Sequence, residues 1–550
     1  MHTKTLQRIF QHSKGLLASP LMFLLLFTAF LLSSGVQAFG DESTEDEDQT
    51  SSFIMSLLPS NIEFNPLYTY SSLEAQVYSA LFEGLVSYDP FSLEPIPGVA
   101  RRWEILEEGT LYRFHLRQGA RYWNGDTVRA EDFRDTWLKL LDPETDAPFA
   151  FLLDPVVNAR EYRRGRLEEG EKPAIRVVDS RTLEVELHSP AQHFLSILAH
   201  QSLVPVHPDA LEVRDWSGFD SPPGNGPYYI VEQDESHIRM KRNELYWDRR
   251  NSHYDEIIIE FNENHTATTR RFNSGEIHWI YSGFDLSELN LANSLQITPQ
   301  FSTSYYFINS RKPPFDDPRI REALLKLLPL EQIRSDEVHF VPATTLVPQI
   351  PGYPDVEGIE QTDAQRAQTL LEEAGYPSGD GLPDLNIVLT PGSESRRVSE
   401  LMKTAWEEQL DVQVRVEFID FARYQRELKD SGFTVGSLSW IGDYADPMSF
   451  LQMWDSDSSI NDAGYSDDTY DRLLTESNSL TGLSRYEKLA EAEQHLLDSS
   501  ILLPVNHSPA IHLVNLDAVG GWYPNPLDIH PFKYLYEIKL TPPSNIAGNQ

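Results

Sequence analysis

A hydrolase needs a nucleophile with a base beside it, or a metal held by spaced ligands, and this sequence shows neither. There is no HExxH pair for zinc, no GxSxG elbow and no GxxxxGK[ST] loop to cradle a phosphate. Cysteine is absent, which removes disulfides, thiolate metal sites, a thiol nucleophile and any cysteine-borne lipid. His188 and His193 lack the spacing of a zinc helix, and lone histidines of this kind pack or face solvent. Gly224-Asn-Gly226 is a bare GxG, and the following Pro227-Tyr-Tyr breaks a dinucleotide fingerprint. Among 84 Asp and Glu, any two carboxylates could be named a general acid–base dyad, so no dyad is informative. Asp41 to Asp48 is a run of like charges that reads as a solvated, disordered leader rather than a calcium site. Asp455-Ser-Asp-Ser-Ser-Ile460 lacks the glycine and spacing of a calcium loop. No metal or cofactor is assigned, and the chain reads as a protein that is not an enzyme.

What remains is binding. Eighty-four acidic against 45 basic residues, a net charge of -39, exclude a polyphosphate partner such as nucleic acid and an anionic membrane surface. The charge reads first as a well-hydrated surface and second as attraction for cationic ligands. An aromatic share of 11% is enough to line a cleft, though a packed core would use it equally.

The elements that must position such a cleft are mixed. Tyr112, Phe114 and Leu116 alternate with Arg113, His115 and Arg117, as in a half-buried strand. Leu183, Val185 and Leu187 alternate with Glu184, Glu186 and His188, and Val412, Val414, Val416 and Phe418 with Gln413, Arg415 and Glu417. Phe133, Trp137, Leu140 and Leu141 share a helical face, as do Tyr486, Leu489, Ala490, Leu496 and Leu497. Thr362 with Gln365 suggests a capping box for a helix carrying Leu370 and Leu371 and ended by Gly375. Turn clusters at Ser221–Pro227 and Pro313-Pro314 mark expected lobe boundaries. A chain of 550 residues is too long for one core, so two or three lobes are expected. At the N-terminus, Lys4, Arg8 and Lys14 precede the apolar run Pro20 to Leu32, and Val36-Gln-Ala38 has signal-peptidase spacing. The chain is therefore expected to be exported, cleaved after Ala38 and released unlipidated into the periplasm.

Several segments, in order, resemble one family. They are Leu81-Phe-Glu-Gly-Leu85, Glu94 to Trp103, Tyr112 to Gly119, Trp123-Asn-Gly-Asp-Thr127 with Ala130-Glu-Asp-Phe133, and Asn225-Gly-Pro-Tyr228. Arg242-Asn through Tyr246-Trp-Asp248, Ser274-Gly-Glu-Ile277 and Lys312-Pro-Pro-Phe-Asp-Asp-Pro-Arg319 follow. Last come Trp440-Ile-Gly-Asp-Tyr-Ala-Asp-Pro447 with Phe450-Leu451, Asn461, Tyr465, Tyr470-Asp471 and Leu503-Pro-Val505. Together, from about Phe53 to Lys539, the chain is similar to the family 5 solute-binding proteins, which include oligopeptide- and dipeptide-binding proteins. It departs at Leu328-Pro-Leu-Glu331, where the family commonly carries Asp-Arg.

The resemblance implies an α/β, two-lobed fold like other periplasmic binding proteins, with an extra inserted subdomain and a hinge between lobes. Expected boundaries are a signal peptide at 1–38, an acidic leader at 39–52, and a first lobe at 53–85 with an inserted subdomain at 86–205. The first lobe continues at 206–301, the second spans 302–509, and 510–550 returns to the first. It further implies a monomer that captures short peptides and delivers them to the permease subunits of an ABC importer. By match to the family, Asp443 would pair with the peptide's α-ammonium and Trp440 would line the adjacent side-chain pocket. Backbone groups at Ser439 and Ile441 would pair with the peptide as an added strand. Tyr70 falls where relatives carry a supporting acidic residue, and Ser72 at a backbone contact. Ser395 and Ser437 stand where some relatives have a histidine and an arginine near the peptide carboxylate, with Arg396 and Arg397 as neighbours that could substitute. A metal chelate, an opine-like compound or a cell-wall peptide is the alternative ligand. A secreted hydrolase is the alternative class.

Overall fold

The computed structural model describes residues 50–168, 170–334, 340–429 and 432–539. The expected signal segment and all but the end of the acidic leader lie outside these. The leader's last residues are already structured: Ser51 donates to Asp255 through its backbone N–H at 2.9 Å and its hydroxyl at 3.0 Å, and a strand opens at Ser52.

Two large sheets dominate. The first has seven strands, in spatial order Leu295–Pro299, Pro509–Val514, Trp279–Ile280, Ser52–Leu57, Glu256–Phe261, His237–Arg242 and Tyr228–Gln233. The second has six, in order Val341–Pro342, Leu502–His507, Ser302–Ile308, Val435–Ile441, Leu385–Leu389 and Val414–Phe418. The chain passes between them at residues 300–301 and again at Ser508, because Pro299 and Pro509 end strands in one sheet while Ser302 and His507 belong to the other. Neither crossing coincides with the proline-rich turns, a correction to that expectation. Ser221–Pro227 instead knits the first sheet to a helix. The side chain of Asn225 accepts from the N–H of Glu83 and donates to its carbonyl, and Gly226 N–H donates to Leu81 O at 2.9 Å. A Cβ at Gly226 would stand 2.5 Å from Ala80 O, so only glycine fits there.

A separate four-stranded antiparallel sheet carries Ala100–Leu106, Leu111–Leu116, Thr182–Glu186 and Ile175–Asp179. Tyr112, Phe114 and Leu116 are buried there with Leu183 and Val185, as the alternation requires. Glu184 departs from the pattern. It stands on the polar face yet is buried, because Arg113 opposite it bonds its carboxylate at 2.6 Å and Arg176 takes the other oxygen. Helix Ala130–Leu141 lays Phe133, Trp137, Leu140 and Leu141 onto this sheet's core.

The helix expected after Thr362 is Ala364–Ala374, ended by Gly375 with φ 90°. Its cap is a correction: Asp363, not Thr362, accepts from the N–H of Arg366, while the Thr362 hydroxyl donates to Leu328 O at 2.6 Å. An aspartate one residue closer to the helix wins the cap. The strand expected from Val412 begins at Val414 and is the edge of its sheet, so Val416 and Phe418 stay half-buried.

Candidate functional site

A cavity of about 560 Å³ opens where the two large sheets and the four-stranded region meet. Its floor is strand Val435–Ile441, paired antiparallel with Ser302–Ile308 along its whole length. On its other edge that strand is bonded to Leu385–Leu389 only at Val435, after which the two diverge. Backbone polar groups of a strand point alternately to its two edges. Ser437 faces the diverging edge, where the Tyr424 hydroxyl accepts from its N–H at 2.8 Å and donates to its carbonyl at 2.7 Å. Ser439 and Ile441 share that parity, so their N–H and C=O groups face the cavity.

The strand ends at Gly442, whose N–H donates to Phe301 O at 2.8 Å. A Cβ here would lie 2.6 Å from the Phe301 ring and 2.7 Å from the Ser449 hydroxyl, so glycine allows the close approach that presents the next residue, Asp443. The Asp443 side chain is 7% exposed. Its Oδ2 has no hydrogen-bond partner, and its Oδ1 lies 3.6 Å from His200 Nε2, just beyond hydrogen-bond reach. Burial pushes the Asp443 carboxyl above the usual carboxylate range, and the imidazole only softens the rise. The Ser202 N–H donates to His200 Nδ1 at 3.2 Å, which leaves the ring proton on Nε2, aimed at Asp443. The Phe149 ring packs against His200 at 4.4 Å and lies 6.3 Å from Trp440.

All six sequence-predicted residues line this one cavity: Tyr70, Ser72, Ser439, Trp440, Ile441 and Asp443. Trp440 is also core, 7% exposed with its indole N–H donating to Ser449 O at 3.0 Å. Tyr70 comes from the N-terminal stretch, tied by its N–H to Glu74 at 2.7 Å, and its ring lies near Phe149 and Phe421. Burial, ahead of the nearby Asp462 charge, pushes its phenol up. Ser395 and Ser437 also line the cavity, but Arg396 and Arg397 do not. Arg397 donates to the carbonyls of Gln332 and Ile333, and Arg396 stacks on Phe418 at 4.4 Å. They do not replace the missing basic pair. His200, Phe149, Tyr305 and Glu394 also line the cavity and had no sequence signal: the first two arrive from segments far N-terminal of Asp443, Tyr305 from the strand paired with the floor, and Glu394 from the first turn of helix Ser393–Gln409.

Other motif residues prove to be scaffold. The Glu83 carboxylate accepts from Tyr246 OH and Trp247 Nε1 at 2.5 Å each and from Lys533 Nζ at 3.2 Å. Asp455 and Asp457, read as too irregular for calcium, pair with Arg160 at 2.6 and 2.9 Å. One cluster among the described residues has metal-ligand character: His512, Asp528 and His530, all buried, with both histidine Nε2 atoms on one Asp528 oxygen. Burial raises the Asp528 carboxyl, but the two imidazoles outweigh it and hold it down to about 2.

Two mixed sheets crossed twice by the chain, enclosing a cavity with an open strand edge and a buried carboxylate, define a solute-binding protein. The sequence profile of the bacterial extracellular solute-binding proteins, family 5, matches residues 94–462, and the chain belongs to that family. It is 29% identical to the periplasmic oligopeptide-binding protein OppA of Salmonella typhimurium, covering 96% of this chain and 99% of that one. Haemophilus influenzae OppA, solved with the peptide RPPGFSPFR, superposes with a TM-score of 0.79 at 27% identity, covering 90% of this chain and 100% of that one. The Escherichia coli murein tripeptide-binding protein MppA gives 0.80 at 25% identity, over 90% of this chain and 99% of that one. The unliganded open form of MppA gives 0.62, over 90% and 98%. The described residues contain no helix long and apolar enough to cross a membrane.

Proposed function

We propose that the protein is an extracytoplasmic receptor that binds short peptides in this cavity and hands them to an ABC importer. The single observation that carries the reading is the pairing of an open strand edge with an unpartnered buried carboxylate. Ser439 and Ile441 offer backbone donors and acceptors to an extended chain, and Asp443 Oδ2 waits at the edge's end. A peptide supplies both complements at once: an amide ladder for the edge and an α-ammonium for the carboxylate. Buried polar groups without partners are costly, so a ligand that satisfies them gains what the empty site lacks.

The remaining roles follow. Trp440, Phe149 and Tyr70 form apolar walls around the first side chains. Ser72 supports the N-terminal end, and His200 faces Asp443 across 3.6 Å. Residues 53–301 with 510–539 form one lobe, including the inserted segment 86–205, and 302–509 the other, with closure by bending at the crossings. The lower TM-score against the open MppA form supports a described state that is the closed one. Export after cleavage at Ala38, action as a monomer and lack of a lipid anchor belong to this reading.

The test is calorimetry with free-amine and N-acetylated versions of one tripeptide, with mass spectrometry of the recovered ligand. The free-amine peptide should bind and return intact, and the acetylated one should bind at least tenfold more weakly. Equal binding of both would refute Asp443 as the amine site, and cleavage products would replace the receptor with a hydrolase.

A further inference from the structure

Two histidines and an aspartate meet behind the cavity wall, at positions whose spacing in the sequence carries no metal motif: His512, Asp528 and His530. Their side chains are 3%, 4% and 2% exposed, and none of them lines the cavity. Asp528 Oδ1 lies 2.8 Å from His512 Nε2 and 3.1 Å from His530 Nε2. Among the described residues the ion-pair partners of this carboxylate are the two imidazoles, with no lysine or arginine.

Each donor is held by the fold around it. His512 sits in strand Pro509–Val514, opposite Gln296 of the neighbouring strand. Asp528 stands at φ 56°, in the left-handed region that aspartate tolerates better than most residues. Asn525 ties the turn that holds it there: its carbonyl accepts from the Asp528 N–H at 3.1 Å, and its side chain donates to Ile529 O at 3.0 Å. Gln76 clamps the backbone of His530, accepting from its N–H at 2.8 Å and donating to its carbonyl at 2.6 Å. The Trp522 ring stacks on His530 at 4.4 Å, and Trp279 meets both imidazoles edge-on, at 5.6 and 5.3 Å. Ligands fixed by their own packing inside an apolar shell are what a metal site needs.

A hydrogen-bonded triad leaves part of this cluster unexplained. It would put a proton on each Nε2 and make each Nδ1 a bare acceptor, yet both Nδ1 atoms are buried without a hydrogen-bond partner. The Tyr523 carbonyl faces the His530 ring. An imidazole that turns its proton to a carbonyl presents its other nitrogen to a metal. Ligand atoms at right angles, each about 2.1 Å from one ion, stand about 3.0 Å apart. The two N–O separations here bracket that spacing. We infer that His512, Asp528 and His530 form a structural site for a divalent transition metal of the zinc, nickel or cobalt kind, which imidazole with carboxylate favours over calcium or magnesium. A bound ion pins the turn at 525–530 to strand Pro509–Val514. Leu527 and Ile529, on either side of Asp528, line the cavity, so the ion braces the cavity wall from behind.

The experiment strips the full chain with a chelator and dialyses it against Zn²⁺, with millimolar Ca²⁺ and Mg²⁺ present to occupy the acidic surface. Elemental analysis should find one zinc per chain, and Co²⁺ in its place should give visible ligand-field bands. His512→Gln, His530→Gln and Asp528→Asn should each weaken Zn²⁺ binding at least about tenfold. His188→Gln, at an exposed histidine, should leave it unchanged. Because the first three variants disturb a buried cluster, the native chain supplies a second readout: electron spin echo spectra of its Cu²⁺ form should show the nitrogen couplings of two imidazoles. No bound zinc under these conditions, zinc that survives all three substitutions, or a Cu²⁺ spectrum without imidazole couplings overturns the inference. Since none of the three residues lines the cavity, each of these failures leaves the peptide reading intact.

Discussion

Replacing Asp443 by Asn should pull function and stability in opposite directions, and the structure sets both magnitudes. In the structure the carboxylate is buried, its Oδ2 lacks a partner and its Oδ1 is 3.6 Å from His200 Nε2. A buried unsatisfied acceptor costs about 1–3 kcal/mol, and charge adds to the cost. The amide keeps the shape without the charge, so ligand-free Asp443→Asn should be more stable than the native protein by about 1–2 kcal/mol at neutral pH. Because the carboxyl is raised, the folded state holds its proton more tightly than the unfolded chain does. The native group's contribution is thus fully present below the ordinary carboxylate range and lost as pH rises through the raised value, so the variant's advantage should vanish in acid. Ligand reverses the order. Leaving an ammonium without its buried partner costs about 3 kcal/mol, roughly a hundredfold in Kd. N-acetylation should remove the same increment, so the variant and the acetylated peptide crossed together should cost little more than either alone. Denaturant unfolding at pH 3 and 8, with calorimetry at pH 7, reads all three terms. A variant that is less stable when empty, or that binds free-amine peptides as tightly as the native protein, would refute the reasoning.

Two further perturbations probe the frame around the cavity. Glu493 accepts from the N–H groups of Leu346 and Val347 and from Tyr353 OH, yet burial wins and pushes its carboxyl up to about 7. Its contribution to stability is complete below about 4.5 and lost as pH rises through 7, so the melting temperature should fall between pH 5 and 8. Glu493→Gln should flatten that fall, recovering up to about 3 kcal/mol at pH 8; an unchanged slope would show that another group carries it. The contacts from Arg160 to Asp455 and Asp457, with Arg163 NH1 donating to Asp457 O at 2.8 Å and the Ser459 hydroxyl donating to Pro148 O at 2.7 Å, tie the inserted segment to the second lobe. Asp455→Asn with Asp457→Asn should favour the open form, with a larger ligand-free radius of gyration in small-angle scattering. The loss should be about 1 kcal/mol, or severalfold in affinity, and high salt should mimic it in the native protein. No expansion would remove these pairs from closure.

Much of the frame was legible because its signals are local. Alternation alone places Tyr112, Phe114 and Leu116 inward, and helical spacing does the same for Phe133, Trp137 and Leu140. Glu184 defeats alternation because two arginines from neighbouring strands neutralise it, a pairing that exists only once the strands are in register. The cap at Asp363 is hidden because the Thr362 hydroxyl is engaged elsewhere, donating to Leu328 O and accepting from the Leu330 N–H, across a turn that sequence does not show. In the cavity the same division holds. Asp443 and Trp440 were reachable through a contiguous run of residues, whereas His200, Phe149 and Glu394 meet them only through tertiary closure. The substitute pair Arg396 and Arg397 failed for the complementary reason: both lie on the correct helix, but their side chains turn outward to carbonyls of 332–333 and to Phe418.

The run from Trp440 to Pro447 contains its own control. Asp443 and Asp446 lie three residues apart, both are buried, and burial alone would push both carboxyls up. For Asp446 it does not prevail. Arg485 donates to both its oxygens at 2.7 and 2.8 Å, the Met448 N–H adds a third bond at 2.9 Å, and the carboxyl is held below the usual range. The fold therefore has the means to satisfy a buried aspartate in this loop and uses them on Asp446. At Asp443 it supplies a histidine just out of reach, a glycine that forces the approach and an open face onto the cavity. A purely structural aspartate would be selected for a partner, as Asp446 has been, or replaced by a residue that needs none. Keeping the charge buried, short of donors and at the end of an open strand edge is the arrangement a site requires when the missing cation arrives with the ligand.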